Sequence, residues 1–335
     1  MTEKDIVSVV EAAYRADITE KAWLDGIARA ARPLLDTGRG IMAFVYDGTD
    51  PGCFKVTTTA GAVGRLPGWG PMMRYYAPKI ARHHVEKRLF GPPCSTLSES
   101  VGDQFLDEFP LARTGRFVGI HDLLGVNARD LSGHGCALAI PLAARGPAPS
   151  EIVHAWARVA AHMTAGFRLR ARLASAPPSD DPLASAEAIL EPDGRLQHAV
   201  GAAASPEARA VLRGAAVAID RARGALRRRE PAEALEIWRG LVEGRWTIVD
   251  HFDRDGRRYV VAQRNDPEVG DAGILTLRER QALGYAALGH SNKLIAYELG
   301  LSPSTVATHL SQAAHKLGAQ SRVELIRIFQ GAEEP

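Results

Sequence analysis

The sequence predicts an α+β chain of three segments, two built on antiparallel sheets with packed helices and a last one made of helices alone. Three observations carry this. Hairpin signals, short apolar or β-branched runs joined by Gly-containing turns, recur through the first two segments. Pro/Gly/Ser/Asp-rich stretches at 174–182 and 265–273 interrupt every hydrophobic period and read as linkers. The last segment carries helix-starting and helix-stopping residues in series. With 335 residues, against roughly 100–200 per domain, a single core is not expected, and the boundaries fall at 1–173, 183–264 and 270–331.

In the first segment an amphipathic stretch to about Arg32 precedes the apolar run Gly40 to Tyr46, stopped by Asp47-Gly48, and the β-branched run Cys53 to Thr59. Ile120 to Ala128 and Cys136 to Leu142 flank Asp130 to Gly135, whose glycines suit a hairpin turn, so the sheet is antiparallel. From Ser150 to Leu173, Ile152, Trp156, Val159, Met163 and Phe167 recur at three- and four-residue steps, and Arg158, Arg168 and Arg172 lie off that stripe. A helix packed on its own sheet is favoured over a parallel dimer helix.

The middle segment repeats the pattern in miniature. Ala186 to Glu191, the turn Pro192-Asp-Gly194 and Arg195 to Val200 make a hairpin. Two helices follow; the first has Val211, Leu212, Ala215, Ile219, Ala222 and Leu226 on its apolar side and Arg209, Arg213, Arg223 and Arg227 around the rest. Arg245 to Phe252, Asp255-Gly256 and Arg257 to Gln263 form a second hairpin.

The last segment reads as four helices. Thr276 with Glu279 three residues on is a reciprocal cap, and Gly289 is placed to stop that helix. Ser291 caps a second helix, with Leu294, Ile295 and Leu299 facing inward, and Gly300 ends it. Pro303 suits the first position of a third. Ala296, Gly300 and Val306 supply the small residue, the turn glycine and the β-branched core residue of a helix-turn-helix.

This segment resembles the LuxR-type helix-turn-helix family at Leu275, Thr276, Arg278, Glu279, Gly289, Ser291, Asn292, Lys293, Ile295, Ala296, Leu299, Ser302, Thr305, Val306, His309, Lys316, Leu317, Gly318, Ser321 and Arg322. The resemblance implies a unit that binds double-stranded DNA as a homodimer with its third helix in the major groove. The family usually has Lys or Arg after Thr-Val, where this chain has Ala307, which can touch a thymine methyl but offers no hydrogen bond. Thr308 and Ser311 are then expected to reach bases, with Ser304 and Thr305 beside them, and Asn292, Lys293, Gln312 and Lys316 to approach phosphates. Val323, Leu325, Ile326 and Phe329 of the fourth helix are expected to supply part of the dimer contact. From Asp271 to Pro335, six Lys/Arg balance six Asp/Glu, so bulk attraction to DNA is expected to be weak.

The element order of the first segment resembles a GAF domain, and the turn and closing hairpin of the middle one resemble a reduced PAS domain. Both resemblances imply sensing of a small-molecule effector. The stretch Pro67 to Tyr76 interleaves aromatics and Met as an apolar pocket would, so Trp69, Tyr75 and Tyr76, with Phe117 and His121, are the candidate ligand-binding residues. It is similar to the Trp/Tyr-rich segment of acyl-homoserine-lactone receptors but lacks the Asp-Pro that follows there, so a long-chain lactone is not expected.

Other classes are disfavoured. At 46% hydrophobic and 24% charged the chain is neither disordered nor fibrous, and a net charge of +2 leaves any nucleic-acid contact to a local patch. Cys53, Cys94 and Cys136 are odd in number and widely spaced, which fits a reducing compartment. The start Met1 to Asp5 lacks signal-peptide order, and no run reaches the ~20 apolar residues of a membrane span; a cytoplasmic location is expected. His83, His84, His121, His134 and Cys136 show no metal-ligand spacing, so no metal is expected and no cofactor is named. The basic run Arg221 to Arg229 reads as the solvated end of a helix rather than a second nucleic-acid contact. No nucleophile, base and orienter form a motif, so an enzyme is not expected. The alternatives to a ligand-controlled regulator are one that is constitutive or controlled by a partner protein and, less favoured, an enzyme fused to a DNA-binding domain.

Overall fold

The computed structural model describes residues 5–63, 68–177, 183–252, 256–269 and 274–332. Pro67, Asp255 and the linker residues 178–182 and 270–273 lie outside them. The first unit runs α1 (Ile6–Ala13), α2 (Glu20–Leu35), β1 (Gly40–Asp47), β2 (Lys55–Val63), α3 (Trp69–Tyr76), α4 (Arg82–Leu89), β3 (Cys94–Thr96), α5 (Leu97–Ser100), α6 (Asp103–Glu108), α7 (Pro110–Arg116), β4 (Asp122–Arg129), β5 (His134–Leu142) and α8 (Ser150–Ser175). Its five strands pair antiparallel in the order β2-β1-β5-β4-β3. The alternation of a strand's side chains sets its two faces. Ile41, Ala43 and Val45 of β1 join the core beneath α8, while Met42, Phe44 and Tyr46 point to the other face, under α3 and α4.

The middle unit has β6 (Ala186–Leu190), β7 (Leu196–Ala199), α9 (Pro206–Arg221), α10 (Arg227–Arg229), α11 (Pro231–Ile237), β8 (Trp246–Phe252) and β9 (Arg258–Arg264), with strand order β7-β6-β9-β8, all antiparallel. Ser205 caps α9, and Ala208, Leu212, Ala216 and Ile219 are its buried face. Val211, expected inside, is exposed, because the inward stripe runs one residue to its side.

The two α+β units share one core. A single apolar cluster runs from Val7, Trp23 and Ile27 through Trp156, Val159 and Met163 to Leu190, Leu212, Trp238 and Val260. The reason is the position of α8, which from Val159 to Leu169 is buried on nearly every side. It is the middle layer, which overturns the alternative of a dimer helix, since its own chain already covers it. Arg168, which lies off the apolar stripe, is buried for the same reason.

The run Arg221 to Arg229 is likewise not simply solvated. The chain kinks at Gly224 (φ −76°, ψ −142°). Arg223 pairs with Asp250, lies 3.6 Å from the Glu11 carboxylate of α1, and sits over the Trp238 ring, 4.4 Å from its centroid. Arg227 donates to Asp5 at 2.7 Å, Ser8 at 3.0 Å and Glu11 at 3.1 Å. Two of these arginines therefore clamp α1 to the middle unit, and Arg228 and Arg229 remain exposed.

The last unit is all helical: α12 (Leu277–Ala287), α13 (Asn292–Leu299), α14 (Pro303–Leu317) and α15 (Arg322–Ala332). Among the described residues no helix is long and apolar enough to cross a membrane.

Candidate nucleic-acid interface

Local chemistry defines the four helices. The Thr276 hydroxyl accepts from the Glu279 amide and the Glu279 carboxylate from the Thr276 amide, closing the expected capping box on α12. Ser291 and Ser302 cap α13 and α14 with the hydroxyl alone, accepting from the Leu294 and Thr305 amides. Gly300 takes φ +64° in the turn between them. Ala296 and Val306 are buried where the two helices cross, with Leu283, Ile295, Leu299, Leu310, Leu325 and Phe329 around them. Leu325 and Phe329, expected in a dimer contact, belong to this inner core, so of the four residues named on α15 only Val323 is largely exposed.

The outward face of α14 carries Ser304, Ala307, Thr308, Ser311 and Gln312, all exposed. Their spacing of three and four places them on one stripe. Thr305 is half-buried and its hydroxyl lies 2.8 Å from that of Ser302. His315, exposed one turn beyond Ser311, completes the stripe; the four-residue step from Ser311 was signal enough to include it. The stripe offers hydroxyls, an amide, an imidazole and a methyl group, and no fixed cation.

The flanking candidates divide. Lys293 is exposed at the start of α13 and, among the described residues, has no side-chain partner. Asn292 accepts from Arg322 Nη1 at 2.6 Å, which brings Arg322, with its other nitrogen on the His290 carbonyl, to the same edge. Lys316, expected near phosphate, donates instead to both oxygens of Glu279, at 2.9 and 2.7 Å. Burial raises the Glu279 carboxyl, but Lys316 and the Thr276 amide outweigh it and hold it below the usual value. Lys316 thus holds α14 to the cap of α12.

The opposite side of this unit is packed against the rest of the chain. Tyr297 of α13 donates to the Leu235 carbonyl at 2.6 Å, and its oxygen lies 2.7 Å from His162 Nε2 of α8, whose Nδ1 lies 2.8 Å from the Tyr14 hydroxyl. With the Tyr297 proton on Leu235, Nε2 carries the imidazole proton and Tyr14 donates to Nδ1, so neutral His162 is fully satisfied. Burial pushes its pKa down to about 3. A second network centres on Arg168, which donates to Asp130 at 2.6 Å, the Asn265 carbonyl at 3.1 Å and the Tyr285 hydroxyl of α12 at 2.9 Å.

Two backbone contacts complete the seat. A Cβ on Gly300 would collide with the Leu241 carbonyl, and the Gly244 amide donates to the Leu299 carbonyl at 2.5 Å. Gly289, at φ +82°, lies where a Cβ would stand 2.5 Å from the Phe90 carbonyl.

Of the ligand candidates, Trp69 and His121 line a cavity on the sheet face away from α8. Tyr76 packs against Phe109 at that unit's edge. Tyr75 and Phe117 are exposed, at 62% and 91%, and do not line it. Phe44, Tyr46, His84, Arg88 and Asn127 do, and no local motif marked them. Among the described residues no three His, Cys, Asp or Glu side chains gather as metal ligands would.

Residues 273–329 match the family described as bacterial regulatory proteins, luxR family, and are a LuxR-family helix-turn-helix domain. The chain is similar to the HTH-type transcriptional regulator MalT of Vibrio campbellii, at 40% identity over 76 residues, 23% of this chain and 8% of that one. It is similar to the transcriptional regulatory protein FixJ of Rhizobium meliloti, at 35% over 85 residues, 24% of this chain and 42% of that one. With UhpA of Salmonella typhimurium it shares 45% over 73 residues, 22% and 34% of the two chains. The chain thus spans less than half the length of each relative.

Proposed function

We propose that this chain, ending in a LuxR-family domain, is a sequence-specific transcription regulator that binds double-stranded DNA as a homodimer under the control of a small molecule. The observation that carries the reading is the orientation of the last unit. Its α13 and α12 are seated on α8 through Tyr297 and Tyr285, while the polar stripe of α14 and Lys293 faces outward. That stripe enters the major groove, with Thr308 and Ser311 at base edges and Lys293 and Arg322 at phosphates. Val323 leaves an apolar contact for the second copy on α15.

The antiparallel sheet with an aromatic-lined cavity supports a GAF-like sensor in the first unit, and the smaller four-stranded sheet a PAS-like one in the second. Control is also supported by α4. His84, Val85, Arg88 and Leu89 line the cavity, and Phe90, the next residue, packs on the last unit at Gly289. A ligand that moves α4 changes the seat of the DNA-binding helices, and it regulates only as far as it binds the two seatings unequally.

The test is fluorescence anisotropy of the full chain on duplexes selected from a random pool. The wild type enriches a two-fold symmetric sequence, and the pair Thr308→Glu and Lys293→Glu abolishes binding with helicity unchanged. Binding that survives both changes, or enrichment of no sequence, overturns the reading.

A further inference from the structure

The cavity on the outer face of the first sheet has a volume of about 130 Å³. It is walled by Phe44, Tyr46, Phe54, Trp69, Phe105 and Phe109. An engineered apolar cavity of about 150 Å³ holds one benzene ring, so this one is of a size for a single small ring. One cation breaks the apolar wall. Arg88 of α4 lays its guanidinium across Gly125 of β4, where any Cβ would collide with Nη2.

Among the described residues no charged partner neutralises this guanidinium. Nη1 donates to Ser95 Oγ at 3.2 Å and, at 3.4 Å, to the Pro92 carbonyl, both uncharged. Among the described residues no carboxylate forms an ion pair with it. Asp122, the carboxylate in the lining, is already occupied: it accepts from the Ser98 amide at 3.2 Å, the Leu123 amide at 2.8 Å and the Ser98 hydroxyl at 2.5 Å. Trp69 Nε1 and His84 Nδ1, also in the lining, are buried with no hydrogen-bond partner among the described residues. Burial holds Arg88 below the usual arginine value. A half-buried cation without a counter-ion is unfavourable, and a planar guanidinium is best complemented by a carboxylate.

We propose that this cavity binds a small aromatic monocarboxylate, its ring among the aromatic walls and its carboxylate on the Arg88 guanidinium. The inference rests on the reading of the first unit as a small-molecule sensor and names the ligand class. A single cation and a ring-sized space argue for one negative charge on a compact body, not for a phosphate ester or a long acyl chain.

The test is isothermal titration of the full chain with three probes of similar shape: benzoate, benzamide and toluene. Benzoate is expected to bind at one site per chain, at least tenfold tighter than benzamide. Arg88→Met is expected to remove that preference while toluene still binds, and Arg88→Lys to keep part of it. If benzamide or toluene binds the wild type as tightly as benzoate, the carboxylate assignment falls and the small-molecule sensor stands. If none of the three binds at millimolar concentration, the assignment falls and the sensor reading loses its cavity. The wild-type comparison decides even where Arg88→Met fails to fold.

Discussion

His162 Nε2 stands 2.7 Å from the Tyr297 hydroxyl, joining the central helix α8 to the middle of the helix-turn-helix. Tyr297→Phe removes the proton held by the Leu235 carbonyl and the acceptor for Nε2, leaving two buried groups unsatisfied. The expected cost is about 1–3 kcal/mol. It is read as a lower denaturation midpoint and as faster hydrogen exchange in α13, with α14 unchanged. Equal acceleration throughout the last unit would mean that Tyr297 supports its internal core instead.

The same pair gives the seat a pH dependence. An unfolded His takes up its proton near 6.5, whereas His162 in the folded chain does so only near 3. Between those values the unfolded state binds the extra proton, so stability falls as pH falls, by about 1.4 kcal/mol per pH unit for this group. His84, lowered chiefly by burial, contributes with the same sign. Denaturation from pH 7 to 4 should show this slope, and His162→Gln should flatten it.

Breaking the second network should cost more. Arg168→Met leaves the Asp130 carboxylate buried and unpaired, for about 3–5 kcal/mol. The double variant with Asp130→Asn should recover part of the loss. Equal losses in the single and double variants would show that Asp130 does not depend on Arg168.

Two lysines of the last unit should behave oppositely. Lys293→Ala should lower the salt dependence of DNA binding by about one ion per subunit and leave stability alone. Lys316→Ala should cost about 1–2 kcal/mol through Glu279 and leave the salt slope as it was. Anisotropy across salt concentrations, beside denaturation of each variant, separates the roles.

Gly289 and Gly318 both hold positive φ, +82° and +71°, but only Gly289 faces another unit. Gly318→Ala should cost about 1 kcal/mol from the backbone alone. Gly289→Ala should cost more and loosen Phe90, which hydrogen exchange at the end of α4 would report.

What was legible in the sequence was what is local. Thr276 with Glu279, Ser291, Gly300, Ser302 and Pro303 define helices by bonds to near neighbours, so the helix-turn-helix and its outward stripe follow from spacing. The pairing of β4 with β5 around Asp130 to Gly133 followed in the same way. What is distant in the chain was not legible. Lys316 looked free because Glu279 is 37 residues away. Arg168 lies off the apolar stripe, and a two-layer packing leaves the back of α8 open, whereas the middle unit covers it. Tyr75 and Phe117 looked like pocket residues because aromatic composition does not report direction, and Arg88 was hidden in the polar stretch Arg82 to Leu89.

The two glycine contacts bear on how freely the last unit can be exchanged. Gly289 and Gly300 meet Phe90 and Leu241 at positions whose positive φ the helix ends already demand. Half of the seat therefore comes with any domain that keeps those two turns. The other half depends on the hydroxyls of Tyr285 and Tyr297. A chimera carrying a foreign helix-turn-helix should settle against the first two units yet lose its fixed bearing unless both tyrosines are grafted with it.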